Sequence, residues 1–506
     1  MLYPQWSFDV ERVPSAYRRE WTRAEAFVQL VRGRLEGEGP TTAATLAGAL
    51  SVPGADVDAA LVTLKAEGFA LRGQFEEKTR DLGPVTWGEE SHATASQPSS
   101  PEPQAPCPQW CERRLLARIH RYTVKRLRAE IEPVQARDFL RFLLDWQRVT
   151  GDARMQGPDA VAAVLNQLEG FDVPAGAWET EVLPARIAEY EPAWLDEHCL
   201  AGRYIWTRLA PRTGTGERAA SPVRATPIVL LPRRDARLWS TLTTAPPLEQ
   251  LSSKARAVLE IIREHGASFF DELVDGAHLL PAQVEEALAE LVACGWVNAD
   301  SFTGLRALLL PGERRRSSGR RRGRAALFGM QDAGRWALVR RGTELTANPV
   351  EHIARTLLQR WGVVFWKVYQ REASWLPPWR ELLLCYRRLE ARGEIRGGRF
   401  VAGFSGEQYA TPEAIGALRE ARRRAGDDAW ISLSAADPLN VVGLLTPGAR
   451  VPALTGNRVL YQDGVPVAAL IAGEVTFFET FDSSTQWQAR NALLRRHIPG
   501  VLADLA

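Results

Sequence analysis

Apolar residues in this chain come in short runs at helical spacing that stop at a glycine and give way to two-residue alternation. In residues 41–75, Thr41 or Thr42 is suited to cap a short helix and Pro53-Gly54 makes a turn. A second helix then carries Ala60, Leu61 and Leu64 on one face before Gly68, and Phe69 to Phe75 alternates like a hairpin strand. Helix, turn, helix, glycine and hairpin is the order of a winged helix. The pattern returns in residues 254–310, where a first helix ends at Gly266, His278 to Pro281 divide the next two, and Leu288 and Leu291 precede Gly295. It returns again in 350–412, with Pro377-Pro378 at the turn, Leu389 before Gly393, and Gly397-Gly398 ahead of the wing. Weaker copies lie in 134–172 and 177–209, so five winged-helix units are expected.

The end of the chain differs in kind. From Ala449 to Phe481, short runs of period two are joined by Asn457 and Asp463-Gly464, which predicts a small antiparallel barrel. The fold class is therefore α+β, mainly helical: tandem winged-helix domains followed by a small antiparallel β-barrel. The expected divisions are 1–88 for the first unit with its leading segment and 89–110 for a disordered Pro/Ser-rich linker. They continue with 111–176, 177–249, 250–325 (with an Arg-rich loop) and 326–426 for four further units, and 427–506 for the barrel.

Charge changes the picture locally rather than globally. The net charge is only +2, yet 58 arginines stand against five lysines. Arginine suits bidentate phosphate contact, and a GC-rich coding sequence explains the same excess. Five scattered cysteines (Cys107, Cys111, Cys199, Cys294, Cys385) read as a reducing compartment, and neither they nor the histidines show ligand spacing. No metal and no cofactor is expected. With no signal-peptide pattern and no apolar run of about 18 residues, a cytoplasmic protein is expected.

Third helices and wings are where such folds meet DNA. Arg380, Arg387, Arg388, Arg392, Arg396 and Arg399 cluster on the last unit and Arg72 lies on the first wing. The run Arg314–Arg316, Arg320, Arg321, Arg322 and Arg324 forms a polycation that neutralises phosphates without reading sequence. Winged helices also serve as protein–protein modules, and a solvated charged face has the same composition. There is no P-loop lysine motif, and Asp196-Glu197-His198-Cys199 lacks the preceding strand of a DEAH box.

The stretches at 111–134, 139–149, 194–209 and 398–419 (CERRLLARIHRYTVKRLRAEIEPV, FLRFLLDWQRV, WLDEHCLAGRYIWTRL and GRFVAGFSGEQYATPEAIGALR) resemble the C-terminal region of the large helicase-related (Lhr) family. Motor motifs of the full-length members are not found, so a C-terminal segment or a stand-alone relative is expected. That region is similar to AlkZ-type DNA glycosylases, which implies winged helices with a barrel, a homo-oligomer such as a tetramer, and removal of uracil from DNA. The resemblance also implies a Gln-aliphatic-Gln site, matched here by Asp145-Trp146-Gln147, in which Asp145 and Gln147 position the attacking water. Asp504 is a second implied carboxylate, and Arg118 and Tyr122 are candidates to steer or stack on an extruded base. Two readings stay open. One is a cofactor-free uracil-DNA glycosylase acting on single-stranded DNA or a duplex with a flipped base. The other is a non-catalytic DNA-binding and oligomerisation module serving an ATP-dependent helicase motor.

Overall fold

The computed structural model describes residues 20–75, 108–129, 131–209, 223–243, 247–309, 329–341, 348–495 and 502. They form two compact units, up to Glu130 and from Ile131 onward. Among them, four three-stranded antiparallel sheets share one topology, in which the third strand pairs with both the first and the second. Each sheet belongs to a winged helix.

In the first unit the helix Arg23–Gly37 opens with a Thr22–Glu25 capping box, and the helices Ala43–Leu50 and Gly54–Ala66 follow. Phe27, Val31, Leu35, Leu61 and Leu64 close one small core. The wing strand Ala70–Gly73 pairs with Gln109–Glu112. The expected boundary at 110/111 thus falls inside a strand, because Trp110 is needed to cover that core.

The second unit holds the other three winged helices. The two weak copies are one module: helix Pro158–Gln167, strand Val173–Pro174, the helical run Ala175–Arg186, helix Pro192–Leu200, then strands Tyr204–Thr207 and Pro227–Pro232. Sequence pattern divides them because the middle run is buried almost throughout and shows no amphipathic period. Helices Ser253–His265, Phe270–Ala277 and Pro281–Ala293, with strands Ser268–Phe269, Val297–Ala299 and Arg335–Leu338, form the third module. Helices Pro349–Trp361, Trp366–Tyr369 and Trp379–Ala391, with strands Val363–Val364, Arg396–Gly398 and Gln408–Ala410, form the fourth.

Two large cores and a smaller one at the C-terminal sheet fill this unit. In the strand Pro227–Pro232, Ile228 and Leu230 enter a core shared by the second and third modules. Val229 and Leu231 enter the other large core, with helix Ala136–Trp146, the fourth module and the C-terminal sheet. Glycine permits two close approaches to that helix. A Cβ on Gly362 would lie 2.5 Å from Phe142, and one on Gly464 would lie 2.4 Å from the Arg137 carbonyl.

The expected barrel is instead an open four-stranded antiparallel meander, Trp430–Ser434, Arg458–Gln462, Val465–Ile471 and Glu474–Phe477. It does not close because both faces are already covered. Leu460, Ala468 and Leu470 pack on helix Ser483–Leu494, while Val459, Tyr461 and Ala469 face the second core. No single helix among the described residues is long and apolar enough to cross a membrane.

Buried ion pairs tie these parts together. Arg186 binds both oxygens of Asp437, at 2.6 and 2.9 Å, with both side chains buried. Removing one member of such a pair costs roughly 3–5 kcal/mol, whereas apolar replacement of both is far milder. Urea denaturation of Asp437→Ala should therefore show a large loss of stability, and Arg186→Met with Asp437→Leu a clearly smaller one. Equal losses would contradict this account.

Candidate nucleic-acid interface

The third helix of a winged helix is the element that enters a DNA groove, and the four are chemically unlike. Gly54–Ala66 carries Asp56 and Asp58 against Lys65. Pro192–Leu200 has no lysine or arginine, and its Asp196 accepts hydrogen bonds from Thr303 and Arg306 of the third module. Pro281–Ala293 carries Glu285, Glu286 and Glu290 and no cation. Only Trp379–Ala391 presents arginines, with Arg380, Leu384, Arg387 and Arg388 exposed along one side at spacings of four, three and one.

The expected arginines of this module divide into two groups. Arg387 reaches Glu407 of the wing at 2.9 Å, and the carboxylate pushes the guanidinium pKa up. Arg392 and Arg355 share Glu351 and Glu394, and the hydrogen bonds from Arg392 and Arg355 hold the Glu351 carboxyl below its usual range. Arg380, Arg388, Arg396 and Arg399 are exposed and have no carboxylate partner among the described residues. The wing that carries the last two is short and tethered. Gln408 accepts from the Phe400 and Val401 amides at 2.8 Å and donates to the Val401 carbonyl at 3.0 Å.

A second basic surface lies outside the fourth module. Arg233, Arg234, Arg237, Arg335 and Arg340 line a groove of about 660 Å³ between the sheets of the second and third modules. Asp235 and Asp300 neutralise Arg234 and Arg335 at 3.0 and 3.1 Å. The sequence signal was there, as arginines flanking the ends of two strands. The strands are about a hundred residues apart, however, so no window joins them.

The other expected residues are dispersed. Arg72 lies on the first wing with its guanidinium 5.7 Å from the Trp110 ring centre. Arg118 and Tyr122 lie one turn apart on helix Arg113–Ala129, which has seven arginines and lysines and no acid, and Tyr122 is well exposed. This helix is a basic rod of about 25 Å. Arg320, Arg321, Arg322 and Asp504 lie outside the described residues.

Asp145 and Gln147 end the same helix but face different surroundings. Asp145 is partly exposed, and its Oδ2 accepts from Arg424 at 2.7 Å. Gln147 is fully buried, accepting from Arg186 at 2.9 Å and donating to the Arg360 carbonyl at 3.1 Å. Its amide is consumed by the framework.

One further cluster joins the second and fourth modules. Donor atoms of Glu169, Asp235 and His352 converge within 4.8 Å, a set that suits a divalent cation. Glu169 Oε1 already accepts from His352 at 2.8 Å and from Trp239 at 2.6 Å, so the carboxylate is satisfied without one. Nearby, burial raises the Asp172 carboxyl to about 6, although Trp375 donates to it at 2.9 Å.

The architecture defines a tandem winged-helix protein with one arginine-faced third helix. A family profile described as large helicase-related protein, winged-helix domain, matches residues 134–233, and a second of the same description matches 343–430. The chain is 30% identical over 420 residues to the Lhr helicase/probable uracil glycosylase of Mycolicibacterium smegmatis, covering 78% of this chain and 27% of that protein. It is 26% identical over 386 residues to the Lhr helicase/uracil glycosylase of Escherichia coli, covering 68% and 24%. The chain thus belongs to the large helicase-related family and corresponds to its C-terminal region. It spans about a quarter of the length of these curated relatives.

The His352–Glu169 contact makes stability depend on pH. The hydrogen bond that His352 donates to Glu169 raises the His352 pKa above its ordinary value. A raised histidine pKa stabilises the fold fully below the unfolded value, and that contribution is lost as pH rises through the folded value. The denaturation midpoints of the natural chain and His352→Gln should therefore differ most near about pH 6 and converge towards about pH 9. A constant gap would count against a charged pair.

Proposed function

We propose that this chain grips the phosphate backbone of DNA through its fourth winged helix, and that a nucleotide of the held DNA is the substrate for excision of uracil. The observation that carries the first half is the set of exposed arginines without carboxylates on the third helix and wing, Arg380, Arg388, Arg396 and Arg399. Guanidinium groups left unpaired by the protein are available to phosphates, and their release of counterions makes binding salt-dependent. The arginine groove between the second and third modules extends the basic surface available to the strand.

The second half rests on the relatives' names and on the chemistry that excision needs. Water adds to the anomeric carbon and gives up a proton, the glycosidic bond breaks, and uracil leaves with the bonding electrons and takes up a proton. A carboxylate near the sugar orients the water and balances the positive charge that develops there. Asp145 is the candidate, since Arg424 holds one oxygen and the other is turned to no recorded partner among the described residues. Asp504 is the alternative acid. Gln147 takes no direct part in this reading, because its amide is bound to Arg186 and to the Arg360 carbonyl and anchors the end of the helix. That same burial favours a second reading, a DNA-holding module with no chemistry of its own that supports a helicase motor.

Affinity for a labelled duplex should fall steeply with salt, and Arg388→Ala and Arg399→Ala should each lower the slope of log K against log salt by about 1. Unchanged slopes would remove these arginines from the interface. Incubation with uracil-containing single-stranded DNA should yield abasic sites, with the yield abolished in Asp145→Ala or, on the alternative, in Asp504→Ala. No product from the natural chain would leave the non-catalytic reading.

A further inference from the structure

Helix Ser483–Leu494 buries Ala489 and Leu493 against the C-terminal sheet and turns a different side outward. On that outer side Trp487, Asn491 and Arg495 follow one another at intervals of four residues, with Gln488 and Ala492 beside them. Trp487 is 67% exposed, an unusual position for the largest apolar side chain on a helix whose other side is fully packed. Next to it runs Trp430–Ser434, the edge strand of the meander, which contributes Trp430 and Ser432. Together these seven residues line a cavity of about 420 Å³.

The lining has a definite chemistry. Two indoles offer flat apolar faces. Gln488 and Asn491 each offer one amide donor group and one acceptor, and Arg495 supplies a cation. No acidic side chain lines the cavity, so an anion meets no repulsion there. The volume lies in the range of small-molecule sites and is far too small for a stacked duplex. Aromatic faces for a base, amides for its edge and a guanidinium for its phosphate are the elements by which proteins take up unpaired nucleotides.

We propose that this cavity binds one unpaired nucleotide of a single strand, its base against Trp487 and Trp430 and its phosphate on Arg495. The site is separate from the arginine surface of the fourth winged helix and does not depend on the uracil reading. Its signature is preference for single strands over duplex.

The test measures anisotropy of a labelled oligothymidylate and of a blunt duplex of equal length with the full chain. Trp487→Ala should weaken single-strand binding about tenfold and leave the duplex unchanged, as loss of one base–aromatic stack predicts. Trp487→Phe should restore most of the loss, and Arg495→Ala should weaken the single strand with a reduced salt slope. Loss of arginine-dependent duplex binding would bear on the winged-helix reading alone. Unchanged single-strand affinity in Trp487→Ala overturns the proposal, as does an equal loss for both probes. If sedimentation shows that this variant instead dissociates a larger species, the face belongs to a second copy of the chain and the proposal fails.

Discussion

A guanidinium taken out of water must find a carboxylate or carbonyl, and the second unit is arranged around that requirement. Its focus is the run Ala175–Arg186, which includes a single π turn at Trp178–Val182. From this run Glu179 binds Arg306 of the third module at 2.5 and 2.8 Å, and Glu181 binds Arg458 of the C-terminal sheet at 2.5 Å. Arg186 binds Asp437 on the connection after the first strand of that sheet. Three partners on three neighbouring elements are thereby set by one short segment. A wider turn shifts which side chains point where, and this one sends successive ionised groups in different directions. Burial alone would depress the charge on Arg306, but Glu179 and Asp196 more than offset it and keep the guanidinium pKa raised.

This framework changes the meaning of the arginine excess. Arg186, Arg306 and Arg360 are among the largest fully buried side chains of the chain. They serve as internal struts, where a fork of fixed donors outperforms a flexible ammonium. Part of what reads as a polycationic composition is therefore spent inside. The same demand explains the third helices. Asp196, which belongs by fold to a groove-reading helix, is committed to Arg306 and to the Thr303 amide. With the winged helix repeated, one copy carries an arginine face while the third helix of the second module serves as a packing element.

The glycine-ended repeats were legible because Gly68, Gly266, Gly295 and Gly393 occupy positive φ at helix ends, a local requirement written locally. The joining of 134–172 with 177–209 was not, since Ala175 to Pro184 is buried on every side and has no period to read. Period two in the last strands is real, but it belongs to an open meander and not to a barrel. Alternation says that two faces differ, and here both are covered by protein. The candidate interface was partly legible. Arg387, Arg388, Arg396 and Arg399 stand close in sequence, whereas Arg233, Arg237 and Arg340 meet only in the groove between two separate sheets. Nothing in Asp145-Trp146-Gln147 reveals that its last side chain is locked to Arg186, which is 39 positions away.

The strand Pro227–Pro232 has a consequence for how such a chain can be inherited. Winged helices are usually thought of as beads, each separable and open to exchange. Here alternate residues of one strand complete two different cores, so the second module cannot be lifted out without opening the hydrophobic interior of its neighbours on both sides. Recombination within residues 131–495 would break a wall rather than a linker. The three modules and the terminal sheet are for that reason expected to travel through evolution as a single block, gaining or losing function by surface substitution and not by shuffling.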